Sequence, residues 1–275
     1  MKASKTSRAL IAVVLVFFVI ISLLPMIMVL INSFKNHIEI IKNPLSVKFT
    51  AGFSNYVKAW NSGNFARALK NSIIYTGSTV IITIACAAPA AYVIAYKKLK
   101  VSGLILAFFM MTMTMPVYLF LVPLYRTYAR FHWLGNHVMV SFILAACSLP
   151  LAITLLRTFY VGIPKELEEA ARIDGAGTFQ VIWHVIFPLL RPGLITVAII
   201  TGLNSWNEFL VSSTFLTGEK NFTAMLALMA LNGPNTSNQG INMAATVTIV
   251  APIIIFFIIM QEQFIDGMVS GSVKG

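Results

Sequence analysis

Long apolar stretches restrict this chain to one class of fold. Six of them fall at 9–31, 73–96, 101–124, 138–156, 193–215 and 241–260. A helix needs about 20 predominantly apolar residues to cross a hydrocarbon core of roughly 30 Å. Inside a bilayer the backbone polar groups must bond within the protein, which favours helices for runs of this length. The sequence therefore predicts an all-α integral membrane protein, one transmembrane domain over 1–275 with six spans.

The composition excludes two other classes. Only 11% of the residues are charged and 58% are hydrophobic, whereas a soluble domain carries about 25% charged residues. The net charge of +11 is spread over the short polar stretches and is not gathered on one face or tail, as a nucleic-acid binder requires. We expect these basic residues to lie beside anionic lipid headgroups.

The basic residues also predict an orientation. The amino terminus and the short connection with Lys97, Lys98 and Lys100 are both strongly basic, and short basic segments favour the cytoplasmic side. The first span is longer than the apolar core of about 7–15 residues in a signal peptide, so we expect it to stay uncleaved. An even number of spans then places both termini in the cytoplasm.

One polar segment, residues 164–188, is predicted to form a helical hairpin between the fourth and fifth spans. Pro164 suits the first helical position, and Glu166, Glu168 and Glu169 follow where the helix dipole favours negative charge. The segment Gly175-Ala176-Gly177 offers the permissive backbone that ends a helix.

The second arm of the hairpin is predicted to be a short helix. Thr178 is a candidate for its N-cap, and Pro188 is expected to stop it where the chain re-enters the membrane.

The hairpin is suited to contact a partner protein. Four small residues allow close approach of another surface: Ala170, Ala171, Gly175 and Ala176. Glu169 and Asp174 offer charges to an Arg or Lys across an interface. An amphipathic helix lying on the bilayer is the alternative, but such helices favour Lys and Arg on the polar face. The three glutamates favour docking.

The spacing of this segment resembles the EAA loop of ABC-importer permeases. The resemblance is carried by Glu169-Ala170-Ala171, by Gly175 four residues later, and by the turn Val185-Ile186-Phe187-Pro188. With Trp206-Asn207-Glu208-Phe209-Leu210 and the tail Gly267–Gly275, essentially the whole chain is similar to carbohydrate importers of the maltose type, more narrowly to their second membrane subunit.

The resemblance implies a fold, a function and partners. It implies a permease subunit in a prokaryotic inner membrane, paired with a homologous six-span permease, two ATPase subunits and an extracytoplasmic sugar-binding protein. Residues 164–188 would be the cytoplasmic coupling loop. The tail 261–275 would reach toward the ATPase, with a second contact at Gly271, Ser272, Val273, Lys274 and Gly275. Mono-, di- and oligosaccharides, polyols and glycerol phosphates all remain open as substrates.

The chain has no nucleotide site of its own by sequence. It lacks the G-x-x-x-x-G-K-[ST] segment that cradles phosphates. We therefore expect a transport subunit that is not an enzyme and holds no cofactor, with ATP and Mg²⁺ on the partner ATPase. No metal site is expected, because Cys86 and Cys147 lack a metal-ligand spacing. The methionine-rich run 110–115 is expected to fill apolar packing and not to bind copper.

Glu208 is the only acidic residue well within a predicted span, and a carboxylate at that depth is a functional hypothesis. Together with Asn204, Trp206 and Asn207 it is a candidate for the translocation path or a gate, or it holds two helices together. The resemblance favours the structural or gating role. An ion-coupled carrier or channel without an ATPase remains the alternative function, with Asn207 and Glu208 as its ion site.

Overall fold

The computed structural model describes residues 5–96, 101–232 and 238–272, and within these ranges the chain is helical with no strand. Short 3₁₀ segments lie at Val117–Phe120 and Glu219–Asn221, and a π-helical segment lies at Val181–Ile186. The α-helices are, in chain order, α1 (Lys5–Asn32), α2 (His37–Lys42), α3 (Ser54–Ser62), α4 (Phe65–Tyr96), α5 (Ser102–Thr112), α6 (Leu121–Arg130), α7 (His137–Gly162), α8 (Lys165–Ile173), α9 (Thr178–Gln180), α10 (Phe187–Trp206), α11 (Leu210–Phe215), α12 (Ala224–Leu231) and α13 (Gln239–Ser272).

Several helices are long and apolar enough to cross a membrane, which confirms the all-α, multi-pass prediction. By length and composition, they are Leu10–Asn32, Phe65–Ala95, His137–Gly162, Thr178–Trp206 and Gln239–Glu262. The pair Ser102–Thr112 and Val117–Arg130 is bent by 84° and makes a sixth if it is counted as one broken span.

The predicted span 101–124 differs most from the observed helices. It is divided between α5 and the 3₁₀ segment that leads into α6. Pro116 lies at the break, where it has no N–H to donate and its ring disfavours helical backbone in the preceding residue. The hydroxyls of Thr112 and Thr114 donate to the carbonyls of Phe109 and Met111 at 2.7 and 2.8 Å. These hydroxyl bonds add to the backbone bonds around the break, where the Met111 carbonyl also accepts the N–H of Thr114 at 3.1 Å.

The predicted span 193–215 also differs from the structure. The helix that contains its first part begins at Thr178 and ends at Trp206, and α11 is a separate short helix. The expectation that Pro188 stops the second hairpin helix is wrong. The π-helical segment ends at Ile186, two residues before Pro188. Because its turns are wider, the hydrogen bond that Pro188 cannot donate does not end the helix.

The described residues divide into two compact units, and the first comprises parts of Met1–Ala66 and Ala227–Pro252. Within it, Lys35 is fully buried and its Nζ donates to the carbonyls of Asn43 and Pro44 at 3.2 and 3.0 Å. The Asn55 amide donates to the carbonyls of Ser33 and Lys35 at 2.9 and 2.8 Å. These bonds fold the segment after α1 around a buried polar centre.

The second unit comprises Arg67–Leu226 together with Ile253–Gly275. One of its apolar clusters is built from α4, α7, the π-helical segment and α10, with fully buried Ala91, Leu156, Val181 and Leu190. A second apolar cluster joins α4, α6, α7 and α11 and contains buried Tyr75 and Phe215. The first cluster lies directly under α8 and so positions the hairpin.

Candidate functional site: the hairpin at α8 and the helix break at Glu208

The first arm of the hairpin is α8. Pro164 is its N-cap, so the helix begins one residue later than the sequence predicted, at Lys165. Glu166 and Glu168 lie in the first turn, where carboxylates interact favourably with the helix dipole, and Arg172 lies in the last turn. The local charges therefore explain why this polar segment is helical.

A Schellman motif ends α8 near Asp174, as the sequence predicted. The N–H of Gly175 donates to the carbonyl of Arg172 at 3.1 Å, and the N–H of Ala176 donates to that of Ala171 at 3.0 Å. Gly175 has φ +84°, a left-handed conformation that glycine adopts without strain. The glycine therefore sets the direction in which the second arm leaves.

The predicted coupling residues divide between two faces of the hairpin. Glu169, Ala170, Asp174 and Gly175 are exposed, as expected for a docking surface. Ala171 and Ala176 are half-buried and pack against the apolar cluster beneath α8. In a Schellman motif the residues at these two positions commonly touch, so their small side chains fit the hairpin to its own protein.

Glu168, which the sequence analysis did not select, is the buried glutamate of α8. It is 9% exposed, and its Oε1 accepts three hydrogen bonds. The Tyr92 hydroxyl donates at 2.9 Å, and Arg172 donates through Nε at 3.0 Å and through one terminal nitrogen at 2.7 Å. We call this group of Glu168, Arg172 and Tyr92 the Glu168 cluster.

The Glu168 cluster joins the hairpin to the membrane-spanning helices of the second unit. Tyr92 lies on α4 and is 3% exposed. Its ring makes an edge contact with that of Tyr160 on α7 at 5.8 Å, and the Tyr160 hydroxyl donates to the Ala88 carbonyl of α4 at 3.0 Å. The hydrogen bonds to Glu168, and after them the interaction with Tyr92, raise the pKa of Arg172.

Two sequence signals point to this cluster in retrospect. Glu168 and Arg172 are four residues apart with the acid first, the spacing of a stabilising helical ion pair. Tyr92 places a hydroxyl inside an apolar span, where it needs an acceptor. The pairing of the two across the fold depends on tertiary structure and has no local signal.

The second arm begins at Thr178, with Gly177 as the N-cap. The prediction of Thr178 as the N-cap is therefore wrong. The Gln180 side chain accepts from the Gly177 N–H at 2.9 Å, so Gln180 and not Thr178 supplies this side-chain hydrogen bond at the start of the helix. Phe179 and Trp183 are 76% and 55% exposed and their rings stack in parallel planes. An apolar surface therefore flanks the glycine turn.

The second candidate site is the break between α10 and α11. The carboxylate of Glu208 accepts from the backbone N–H of Val211 at 2.6 Å and of Ser212 at 2.9 Å. The Tyr75 hydroxyl lies 3.5 Å from the same carboxylate. Glu208 thus occupies the orphan N–H groups at the start of α11 and interacts with its dipole.

The other residues of this candidate site have distinct surroundings. Asn207 is the C-cap of α10, and its amide donates to the Leu203 carbonyl at 2.9 Å. The indole N–H of Trp206 is buried and has no hydrogen-bond partner within the described residues. Such a group is uncommon in folded proteins.

A cavity of about 270 Å³ opens beside Glu208 in the second unit. Asn204 and Glu208 both line it, whereas Trp206 and Asn207 do not. Its remaining polar lining comes from α7 and α10, namely Cys147, Ser148, Thr201 and Ser205. The structure therefore brings two of the four candidate residues to one cavity, whose lining combines these polar groups with a larger apolar surface.

The predicted tail contact falls at the end of the described residues. The helix α13 extends through Gly271 and Ser272, whereas Val273, Lys274 and Gly275 lie outside the described residues. So do Lys97, Lys98 and Lys100 of the basic connection.

Comparison with known proteins gives one family. Residues 83–269 match the family described as binding-protein-dependent transport system inner membrane component. The chain is 33% identical over 251 residues to the probable ABC transporter permease protein YurM of Bacillus subtilis (strain 168), covering 91% of this chain and 83% of the relative. It is 34% identical to the melibiose/raffinose/stachyose import permease protein MelC of the same organism, covering 81% of each chain.

A solved structure shares the fold. A chain from a bacterial ABC transporter involved in the import of the acidic polysaccharide alginate superposes with a TM-score of 0.77 at 23% identity, covering 96% of this chain and 99% of that chain.

Proposed function

Since the chain belongs to the family of binding-protein-dependent transport system inner membrane components, we propose that it forms half of the translocation path of a sugar importer and couples it to an ATPase through the α8–α9 hairpin. The chain is a carbohydrate ABC-importer permease component, a transport subunit and not an enzyme. Permeases of this kind work with a second permease, an ATPase and a substrate-binding protein. We place two copies of the ATPase, with their ATP and Mg²⁺, on the cytoplasmic side.

The single observation that carries the coupling proposal is the division of the hairpin into two faces. Glu168 and Ala171 face the protein, and Glu169, Ala170 and Asp174 face outward. Ile173 at the tip of α8 is 86% exposed, and an exposed apolar residue beside free carboxylates is typical of a protein interface. We assign this outward face to the ATPase, with Arg or Lys of the partner opposite the two acids.

The proposed path runs past the cavity beside Glu208. Asn204 offers amide groups there, and Ser148, Thr201 and Ser205 offer hydroxyls nearby. Neutral polar groups of this kind exchange hydrogen bonds with sugar hydroxyls as a sugar passes. Glu208 itself has a gating or structural role in this proposal, because both of its carboxylate oxygens already accept backbone N–H groups.

The substrate class is proposed from the named relatives. One is the permease for melibiose, raffinose and stachyose, and two further relatives, each 30% identical to this chain, are the probable starch degradation products transport system permease protein AmyC of Thermoanaerobacterium thermosulfurigenes and the diacetylchitobiose uptake system permease protein NgcG of Streptomyces coelicolor. We propose a neutral di- or oligosaccharide, because the described lining of the cavity carries no cationic residue that would hold an anionic sugar.

The ion-coupled alternative would need Asn207 and Glu208 to bind a cation. The hydrogen bonds of Glu208 argue against it, since both of its carboxylate oxygens accept backbone N–H groups of α11. The family membership also favours an ATP-driven importer.

Affinity purification of the detergent-solubilised chain from its native membrane tests the proposal. We expect a second six-span permease and a P-loop ATPase to co-purify, and we expect Glu169→Lys to lose the ATPase while retaining the second permease. Glu166→Lys is the matched control, because Glu166 is an exposed glutamate of the same helix outside the proposed contact. Recovery of the chain alone, with uptake that follows an ion gradient, would favour the carrier.

A further inference from the structure

The Glu168 cluster gives the hairpin an attachment to α4 that does not run through the chain. The glycine turn connects α8 to α9, and the Ile163-Pro164 connection joins α8 to α7. The hydrogen bonds of both connections are local, since Gly175 bonds to Arg172 and Ile163 bonds to Tyr160. The hydrogen bond from Tyr92 to Glu168 instead joins two residues that are 76 positions apart in the sequence.

The attachment is protected from solvent where it crosses between the helices. Glu168 is 9% exposed and Tyr92 is 3% exposed. A hydrogen bond to a charged acceptor in such surroundings is stronger than a neutral one, and water competes poorly with it. Arg172 holds the carboxylate in place from the outer side, with two nitrogens on the same oxygen.

Beyond Tyr92, contacts continue into the bundle. The Tyr92 ring packs on Tyr160 of α7, and the Tyr160 hydroxyl donates to the carbonyl of Ala88, one turn before Tyr92 on α4. Tyr92, Ala88 and Tyr160 all belong to the apolar cluster of the second unit. A displacement of Glu168 is therefore passed to side chains that are themselves tightly packed.

We propose that Glu168 and Tyr92 are positioning residues that transmit movement of α8 into α4. This inference rests on the proposed function, because it takes the ATPase to push on the outward face of α8. The outward face receives the push, and Glu168 on the inward face delivers it to the second membrane span. The coupling thereby reaches a helix that is distant in sequence from the hairpin.

Tyr92→Phe is the sharpest variant because it removes one hydroxyl and keeps the ring. Glu168 retains Arg172, so no charge is left without a partner. The hydrogen bond removed has a charged acceptor, and its loss is expected to weaken the coupling between α8 and α4 by about tenfold. Tyr128→Phe is the matched control, since Tyr128 is also buried and bonds to a carbonyl at 2.8 Å, but lies away from the hairpin.

The native Cys86 reports on α4 without any knowledge of the sugar. It lies six residues before Tyr92 on the same helix, and other residues of this chain do not cover it. The experiment measures its rate of reaction with a maleimide in the purified importer complex, with and without a non-hydrolysable ATP analogue. Mass spectrometry of the labelled peptides separates Cys86 from Cys147.

In the wild-type complex and in Tyr128→Phe we expect the nucleotide to change the labelling rate of Cys86. In Tyr92→Phe and in Glu168→Ala, which leaves Tyr92 no acceptor at this position, we expect that change to be lost, while the ATPase still co-purifies. The double variant is expected to resemble either single variant, because both remove the same link.

A wild-type response in Tyr92→Phe, or no response at Cys86 in the wild type, would overturn the inference. Either result leaves the proposed function standing as long as the ATPase co-purifies. Loss of the ATPase from the wild-type complex would instead contradict the proposed function, so the two failures are distinguishable.

Discussion

The α8–α9 hairpin and the α10–α11 break are both interruptions of helix beside a glutamate that accepts several hydrogen bonds. At the hairpin, Glu168 accepts from side chains, and one of its donors, Tyr92, lies on the membrane-spanning helix α4. At the break, Glu208 accepts from Val211 and Ser212, three and four residues further along the chain, while the Tyr75 hydroxyl of α4 lies at 3.5 Å, beyond the usual length of such a hydrogen bond. A carboxylate bonded across the fold links two elements, whereas one bonded to the next backbone groups shapes a single turn.

This difference leads us to expect that changes at the hairpin spread and that changes at the break stay local. The largest effect is expected for Gly175→Asp, which we expect to abolish ATP-dependent uptake. The substitution places a side chain at φ +84° and costs roughly 1–2 kcal/mol in backbone strain, and it adds a charge to the docking face. Uptake by membrane vesicles measures the effect, with immunoblotting of the membrane fraction as the check on insertion.

Gly177→Ala is the control for that change. Gly177 has φ −69°, and an added Cβ would approach only the Gln180 side chain, at 3.7 Å. Uptake close to wild type is therefore expected. If Gly175→Asp transported normally, the glycine turn would not be part of the coupling surface.

The second expected effect separates the neighbouring glutamates. Glu168→Ala is expected to lower the free energy of unfolding by about 2 kcal/mol, because the buried Tyr92 hydroxyl loses a charged acceptor. Glu169→Ala is expected to change it by less than about 0.5 kcal/mol, since Glu169 is exposed. Thermal unfolding of the two purified variants in the same detergent compares them. Equal shifts would remove the distinction between the inward and outward faces.

The amino-acid sequence could predict much of the hairpin and little of its attachment. The end of α8 at Asp174 follows from the glycines, and its start from Pro164 and the glutamates, because these are local backbone effects. Which glutamate lies inward could not be predicted, since the spacing to Arg172 marks Glu168 as an ion-pair partner but does not bury it, and only α4 supplies Tyr92. Nearby residues determine which helical turn each residue occupies, but they do not determine its partner across the fold.

The same distinction explains the helix bounds. The apolar runs predict where membrane helices lie, but α4 extends back to Phe65 through Arg67 and Lys70, and α10 continues the helix that begins at Thr178. A helix can extend beyond its apolar residues as long as its backbone N–H and C=O groups stay paired, and hydropathy does not measure that pairing. At Pro188 a local rule failed because the π-helical segment removed the conflict that the rule assumes.

A smaller effect is expected at the break. Glu208→Ala is expected to cost about 1 kcal/mol, the usual contribution of a helix cap, and Glu208→Gln less, because the amide oxygen can still accept one N–H. ATP-dependent uptake is expected to persist in Glu208→Gln. Loss of uptake in Glu208→Gln, together with unchanged stability, would contradict the structural role and return the ion-site reading of this carboxylate.

The smallest effect is expected for Thr178→Ala. Because Gly177 is the N-cap and Gln180 completes the turn, the threonine hydroxyl contributes only a long contact with Arg172 at 3.4 Å. The midpoint of thermal unfolding is expected to match that of the wild type, whereas Gln180→Ala is expected to lower it. A larger drop for Thr178→Ala than for Gln180→Ala would reverse this assignment of the cap.

Photo-cross-linking from the hairpin tests most directly the claim that the outward face of α8 binds the ATPase. A photoreactive phenylalanine analogue replaces Glu169 in one variant and Tyr118, an exposed residue remote from the hairpin in sequence, in another. After irradiation of native membranes, we expect an adduct with a P-loop ATPase from position 169 and none from position 118. Adducts only with lipid from position 169, in a complex that otherwise retains the ATPase, would contradict the account.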